Sequence, residues 1–401
     1  MIIKRPKYIE AITPFIGQPL VKILSGVRRC GKSTIFDMLK EELLSSGIDK
    51  KCIITKTYTD MDIAQNITAK QMYDELVCVT KDNAYSYLIL DEIQEISGWE
   101  KVVNSLLEKG NCDIYVTGSN SKLMSSEIST YLTGRYVQIP VYTLSFSEYL
   151  QFKSESKLTK RELLNEYIRF GGFPVVALNE YESNMAYQIV NGIYYTVVSR
   201  DIVNRHRIHK QELFDRVVRY VVENTGKTFS ANSISKFLKS ENRQLSNESI
   251  YNYLRWLEQA FIIYPCRRYD LQGKNILKTQ EKYYLADVSL KYALFGYNRN
   301  MLDAVMENIV YLELKRRGYD VYVGKLGTKE IDFVAILRDE KIYVQVCVQL
   351  PENSDRETEN LKDIPDNYPK YVVTLNDLDV GNDEGIKIVH LQDFLLTDRW
   401  I

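Results

Sequence analysis

The sequence predicts an α/β protein whose first domain is built on a parallel sheet, and three observations carry that prediction. Leu20-Val21-Lys22-Ile23-Leu24 is a short buried-strand run leading straight into Gly26-x-x-x-x-Gly31-Lys32-Ser33. After it, Ile35-Phe36-x-Met38-Leu39 switches to helical spacing. Two further apolar runs, Tyr87-Leu88-Ile89-Leu90 and Ile114-Tyr115-Val116, end in short polar stretches. Buried parallel strands deliver side chains to the carboxyl edge of a sheet in this way.

The segment Gly26-Val27-Arg28-Arg29-Cys30-Gly31-Lys32-Ser33-Thr34 is a complete phosphate-binding loop. Its glycines let the backbone form a concave nest of N–H groups, and the helix that starts at Gly31-Lys32 adds its positive end. Lys32 is placed to bridge the β- and γ-phosphates of ATP, and the Ser33 hydroxyl to bind Mg²⁺. Downstream, Asp91-Glu92 closes the strand run 87–90. In a P-loop ATPase the first acid holds Mg²⁺ through water and the second polarises the attacking water, so Asp91 and Glu92 are expected in those roles.

The third run, Asp113-Ile114-Tyr115-Val116-Thr117-Gly118-Ser119-Asn120, ends where a polar side chain would orient that water, with Asn120 or Ser119 the candidates. Tyr131-Leu132-Thr133-Gly134-Arg135-Tyr136 sets an arginine in a turn before another strand-like run. The Arg135 guanidinium could stabilise charge on a transferring phosphoryl group, in its own subunit or across an interface. It could equally pair with a surface carboxylate. Action in trans would make activity depend on a homo-oligomer.

In their order, these motifs resemble a known family. Gly-Val-Arg-Arg-Cys-Gly-Lys-Ser-Thr, Leu-Asp-Glu-Ile-Gln, Val-Thr-Gly-Ser-Asn-Ser, Leu-Thr-Gly-Arg-Tyr, Leu-Ser-Phe-Ser-Glu-Tyr at 144–149 and Gly-Gly-Phe-Pro at 171–174 follow one another. The chain looks like the prokaryotic AAA-type ATPases that carry a C-terminal domain of unknown function related to restriction-endonuclease folds. The resemblance implies an AAA+/STAND-like core, ATP and Mg²⁺, and says little about physiological role.

Composition bounds the rest. The 401 residues suggest two to four domains, and 45% hydrophobic with 26% charged residues is ordinary globular composition. The 30 tyrosines read as amphipathic packing at core edges. Six cysteines without C-x-x-C spacing and three histidines indicate neither a zinc site nor a disulfide framework. No long apolar stretch or signal-like N-terminus is present, so a cytoplasmic protein without a membrane partner is expected.

The expected domains are an ATPase core over 1–154, a helical subdomain over 155–227, a winged-helix-like domain over 228–300 and a restriction-endonuclease-like domain over 301–401. Residues 228–290 read as two short helices followed by a β-ribbon, the winged-helix pattern. The net charge of −1 conceals regional opposites: residues 200–282 carry 16 basic and 9 acidic side chains, residues 351–401 carry 5 and 12. DNA through 228–290 and a protein partner are both open.

The order helix, strand, strand, strand from 301 resembles the PD-(D/E)xK nuclease core, in which a helical Glu, a strand Asp and a following (Glu/Gln)-x-Lys collect Mg²⁺ and activate water, the lysine orienting the nucleophile. Glu307, Asp332 and Gln345 match by position, but Cys347 stands where the lysine belongs. A neutral thiol supplies no cation and Gln345 removes a negative ligand, so this domain is expected to keep the fold without nuclease activity. The function expected overall is ATP hydrolysis that drives the attached domains on DNA or a protein. A nucleotide-gated DNA-binding regulator with little turnover is the alternative, and an active nuclease a more remote one.

Overall fold

The computed structural model describes residues 3–58, 67–119, 131–132, 134–273, 275–351 and 356–400. The chain divides into two compact units: Met1–Val141 with Gln259–Phe261, and Tyr142–Glu258 with Ile262–Ile401.

The first unit is a five-stranded, wholly parallel sheet. Its strands are β1 (Val21–Ser25), β2 (Ile53–Thr57), β3 (Ser86–Asp91), β4 (Cys112–Gly118) and β5 (Tyr136–Pro140), in the order β2-β3-β4-β1-β5. Every residue of β1 and β4 is buried, as central strands covered on both faces require. That burial includes a charge: Lys22 pairs with Asp113 on the neighbouring strand, and Asp113 also accepts from the Tyr115 hydroxyl and the Gly17 N–H. An unpaired ammonium could not be kept there. The helix Lys32–Ser45 packs Ile35, Phe36, Met38, Leu39 and Leu43 inward, and the helix Trp99–Lys109 covers the sheet with Val102, Val103, Leu106 and Leu107.

The second unit holds an eight-stranded mixed sheet. Its strands are β6 (Ile263–Asp270), β7 (Asn275–Leu285), β8 (Asp320–Leu326), β9 (Lys329–Leu337), β10 (Glu340–Val346), β11 (Lys370–Thr374), β12 (Gly381–Asp383) and β13 (Ile386–His390). They run in the order β12-β13-β11-β10-β9-β8-β6-β7. The helix Leu302–Arg316 precedes an antiparallel meander β8-β9-β10, and the helix Arg356–Lys362 crosses over to β11, which pairs parallel with β10. The helices Ala231–Ser240 and Asn247–Gln259 and the β6-β7 ribbon follow one another as the sequence pattern predicts. The ribbon is not a free wing, because β6 pairs parallel with β8 from Arg268 opposite Val323 to Asp270 opposite Lys325. One sheet therefore spans the segments read separately as 228–300 and 301–401.

Two of the sequence motifs meet in this unit. Leu144 donates its N–H to Gly172 O at 2.7 Å, and the Gly172 N–H donates to Asp287 Oδ2 at 2.8 Å. Gly171 has φ +71°, and a Cβ there would stand 1.7 Å from Asp287 Oδ1. The Gly-Gly pair is thus a close approach between backbone and a buried carboxylate, and Pro174 opens the next short helix at its first turn.

Candidate functional site

The phosphate loop leaves the carboxyl end of β1 and enters the helix Lys32–Ser45. Its first glycine is fixed by packing: a Cβ on Gly26 would lie 2.0 Å from Val141 O, where the chain beyond β5 donates its N–H back to Ser25 O. Arg29 at φ 69° and Gly31 at φ 103° turn the backbone into the concave form that a ring of N–H donors needs. Arg5 braces the loop from outside, its Nη1 donating to Cys30 O at 2.8 Å. Val27 and Cys30 are buried, Arg28 and Thr34 half-buried, and Arg29 and Ser33 exposed.

Lys32 is buried and donates to Gly26 O at 2.9 Å and Val27 O at 3.2 Å. The loop's own carbonyls hold the ammonium at the nest. Ser33 Oγ donates to Asp91 Oδ2 at 2.7 Å, so the hydroxyl from the loop and the carboxylate from β3 already meet. Two hard oxygen donors at the mouth of a phosphate nest suit Mg²⁺.

Glu92 follows Asp91 in a left-handed conformation, φ 53° and ψ 42°, rare for a non-glycine residue and common at functional sites. Its Oε2 accepts from Gln94 Nε2 and from Ser119 Oγ at 3.1 Å. Burial raises the carboxyl, but the charges of Lys32 and Arg28 and these two bonds outweigh it and hold Glu92 below its ordinary value. It is therefore an ionised carboxylate at neutral pH, a state in which it can accept a proton.

Thr117 was missing from the sequence reading as a site residue. Wholly buried on β4, it accepts the Glu92 N–H at 2.9 Å and donates to Asp91 Oδ1. It lies inside the Val-Thr-Gly-Ser-Asn-Ser motif, but only the β3-β4 register brings it beside both acids. Ser119 takes the place expected at the end of β4, and Asn120 lies outside the described residues.

Arg135 is not brought to this cluster. Its backbone O accepts from Val21 N at the start of β1, and Nη2 bonds Asn104 Oδ1 at 2.6 Å and Glu108 Oε1 at 3.4 Å. The phosphate loop leaves the other end of β1, about 16 Å away along a five-residue strand. Within its own subunit Arg135 faces the opposite edge of the sheet, so the reading in cis does not fit the topology.

The AAA domain family matches residues 18–150, the stretch that holds β1, the loop, Asp91-Glu92 and Arg135. A Haemophilus influenzae protein named only as uncharacterized is 37% identical over 98% of this chain and 99% of its own length. The chain belongs to this family of AAA-domain proteins. Uncharacterized protein MJ1544 of Methanocaldococcus jannaschii is 32% identical over 93% of the chain and 85% of its own length.

A domain of unknown function (DUF8612) matches residues 161–300. The match falls on the helices and the ribbon of this AAA-domain protein, upstream of the 301–401 segment where the resemblance placed its domain of unknown function. The Walker-type ATPase PABY2304 of Pyrococcus abyssi shares the fold at TM-score 0.51 and 14% identity, over 73% of this chain and 96% of that one. Among the described residues no helix is long and apolar enough to cross a membrane.

Proposed function

We propose that this AAA-domain protein is an Mg²⁺-dependent ATPase whose hydrolysis step moves the helical and sheet elements of its second unit on DNA or on a protein partner. The observation that carries the reading is the ionised Glu92 carboxylate, aligned by Ser119 and Gln94 beside the Lys32 ammonium. Binding alone needs the nest and Lys32; a second acid held ready beside them is what hydrolysis adds.

The chain's own groups then divide the work. The nest N–H donors and Lys32 take the phosphates, and Lys32 exchanges its bonds to Gly26 and Val27 carbonyls for phosphoryl oxygens. Ser33 and Asp91 would hold Mg²⁺, which supplies charge neutralisation on the phosphate chain when bound. Glu92 accepts the proton of the attacking water, and Ser119 sets its orientation. Release of Glu92 from Gln94 as the γ-phosphate arrives gives the site a way to report nucleotide state to neighbouring loops.

Arg135 acts, on this reading, on the nucleotide of a neighbouring copy. For the second unit, DNA is favoured by the basic balance of residues 200–282 and by exposed Tyr251 and Arg255 on the helix Asn247–Gln259. Glu248 and Glu258 on the same exposed face weaken that attraction, which keeps a protein partner in view. The segment 301–401 serves as a nuclease-like fold without nuclease activity.

ATP turnover by wild type, Lys32→Ala and Glu92→Gln, with and without duplex DNA, tests the reading. Loss of nucleotide binding in Lys32→Ala, and binding without turnover in Glu92→Gln, are the expected results. Normal hydrolysis by Lys32→Ala would overturn it, and an absence of DNA stimulation would turn the second unit toward protein.

A further inference from the structure

A second group of charged side chains gathers in the sheet unit, where β7, β9 and the helix Leu302–Arg316 meet, buried except for the half-exposed Glu330. Lys282 Nζ lies 2.8 Å from Glu307 Oε1, 3.0 Å from Glu330 Oε1 and 3.6 Å from Asp332 Oδ1, and its side chain is 4% exposed. Tyr284, two residues along β7, donates its hydroxyl to the same Glu307 oxygen. Arg268 on β6 pairs with Glu330 at 3.5 Å. Gly226, at φ +78°, seals the top: a Cβ on it would stand 3.1 Å from Glu307 Oε2.

These include the positions that the sequence assigned to a nuclease-type metal cluster lacking its lysine. The structure supplies a lysine from the ribbon instead. Cys347 turns into an apolar cluster with Val334, Tyr343 and Leu361, where burial pushes its thiol up to about 12.

The donors do not fit a divalent ion as arranged. Backbone pairing of β9 with β10 ends at Phe333 opposite Val344, and side chains stitch the strands beyond that point. Asp332 Oδ2 accepts from Val346 N at 2.9 Å, and Gln345 Oε1 accepts from Asp332 N at 3.2 Å. One Asp332 oxygen and the Gln345 oxygen are thus committed to the main chain. One oxygen each of Glu307, Glu330 and Asp332 converges on the ammonium. A divalent ion about 2.1 Å from Glu307 Oε1 would lie within about 5 Å of Nζ, two cations competing for one set of ligands.

Lys282 and Arg268 bring two positive charges to the three carboxyl groups of Glu307, Glu330 and Asp332.

We propose that Lys282 is the resident cation of this carboxylate cage: its ammonium occupies the point where the three carboxylates converge and excludes a divalent ion from it. The cluster joins the β6-β7 ribbon to the αβββ core as a tethered ion pair. None of these residues belongs to the phosphate-loop site, so the proposal stands or falls apart from the ATPase reading.

Mn²⁺ binding to the nucleotide-free full chain, followed by electron paramagnetic resonance, tests it. Wild type and Asp332→Asn should give superimposable titrations. Lys282→Ala should gain one Mn²⁺ per chain, and the added Asp332→Asn substitution should remove it again. Lys282→Gln, which keeps the stem and a donor for Glu307, repeats the test should the alanine variant fail to fold. Mn²⁺ bound by wild type and lost in Asp332→Asn would overturn the proposal. So would folded Lys282→Ala and Lys282→Gln proteins that gain no Mn²⁺.

Discussion

The Thr117 hydroxyl stands between Asp91 and Glu92, accepting the Glu92 N–H at 2.9 Å while donating to the Asp91 carboxylate. One side chain on β4 therefore fixes both Asp91 at the end of β3 and the left-handed turn at Glu92 that follows it. Replacing it with valine keeps the shape and leaves two buried polar groups unpaired, a cost of about 1–3 kcal/mol. Thr117→Val should lower turnover about tenfold or more while ATP still binds, and Thr117→Ser should restore it. A valine variant with wild-type turnover would remove Thr117 from the site.

Glycine substitutions separate packing from flexibility. Gly26→Ala drives a Cβ into Val141 O, so it should abolish binding of a fluorescent ATP analogue and lower the melting temperature. Gly192, in the helix Ser183–Thr196, has nothing within 4 Å of the Cβ position. Gly192→Ala should raise stability by about 0.5–1 kcal/mol. Equal effects at the two sites would contradict the packing account.

Asp287 is the acceptor on which the Gly171-Gly172 approach depends, taking bonds from Gly172 N, Ser289 N and Ser289 Oγ. Asp287→Ala should cost about 3 kcal/mol or more in denaturant unfolding of the second unit. Phosphate-loop affinity for ATP, measured in the same preparation, should be unchanged.

The Glu307 carboxyl gives the sheet unit a pH signature. Its folded value of about 7 lies above its ordinary 4.5, so the folded state holds a proton that the unfolded chain releases. Stability should fall as pH rises through that window and level off above it. Lys282, Tyr284, Asp332 and, further off, Lys291 face this carboxyl and set the size of the effect. Urea midpoints between about pH 5 and 8 should decline for wild type and decline less for Glu307→Gln. A steeper decline in the variant would assign the slope elsewhere.

Arg135 offers a test of assembly. If it serves a neighbouring copy, Arg135→Ala and Lys32→Ala proteins are each inactive alone, and mixing them should restore part of the ATPase rate. A mixed sample as inactive as its components would leave Arg135 with its surface contacts to Asn104 and Glu108.

The phosphate loop was legible because its chemistry is local: Gly26, Gly31, Lys32 and Ser33 act through spacing along one turn. Asp91 and Glu92 were legible as the end of an apolar run. Arg5 and Thr117 were not: Thr117 sits inside the Val-Thr-Gly-Ser-Asn-Ser motif, but its bridge between two acids, like the reach of Arg5 to Cys30 O, depends on the fold. The helix–helix–ribbon pattern of 228–290 was readable from periodicity, whereas the parallel pairing of β6 with β8 was not, because strand partners are chosen across the chain.

The nucleotide nest, the two acids that follow it and the order of helices and strands are readable along the chain, since each depends on neighbours within a few residues. The fold placed the charges. It set Arg135 at the far edge of the sheet and Thr117 beside Glu92. It also carried Lys282 from the ribbon into the carboxylates of Glu307, Glu330 and Asp332. A buried charge must find its partner wherever the fold brings one, and that distance is not written in spacing.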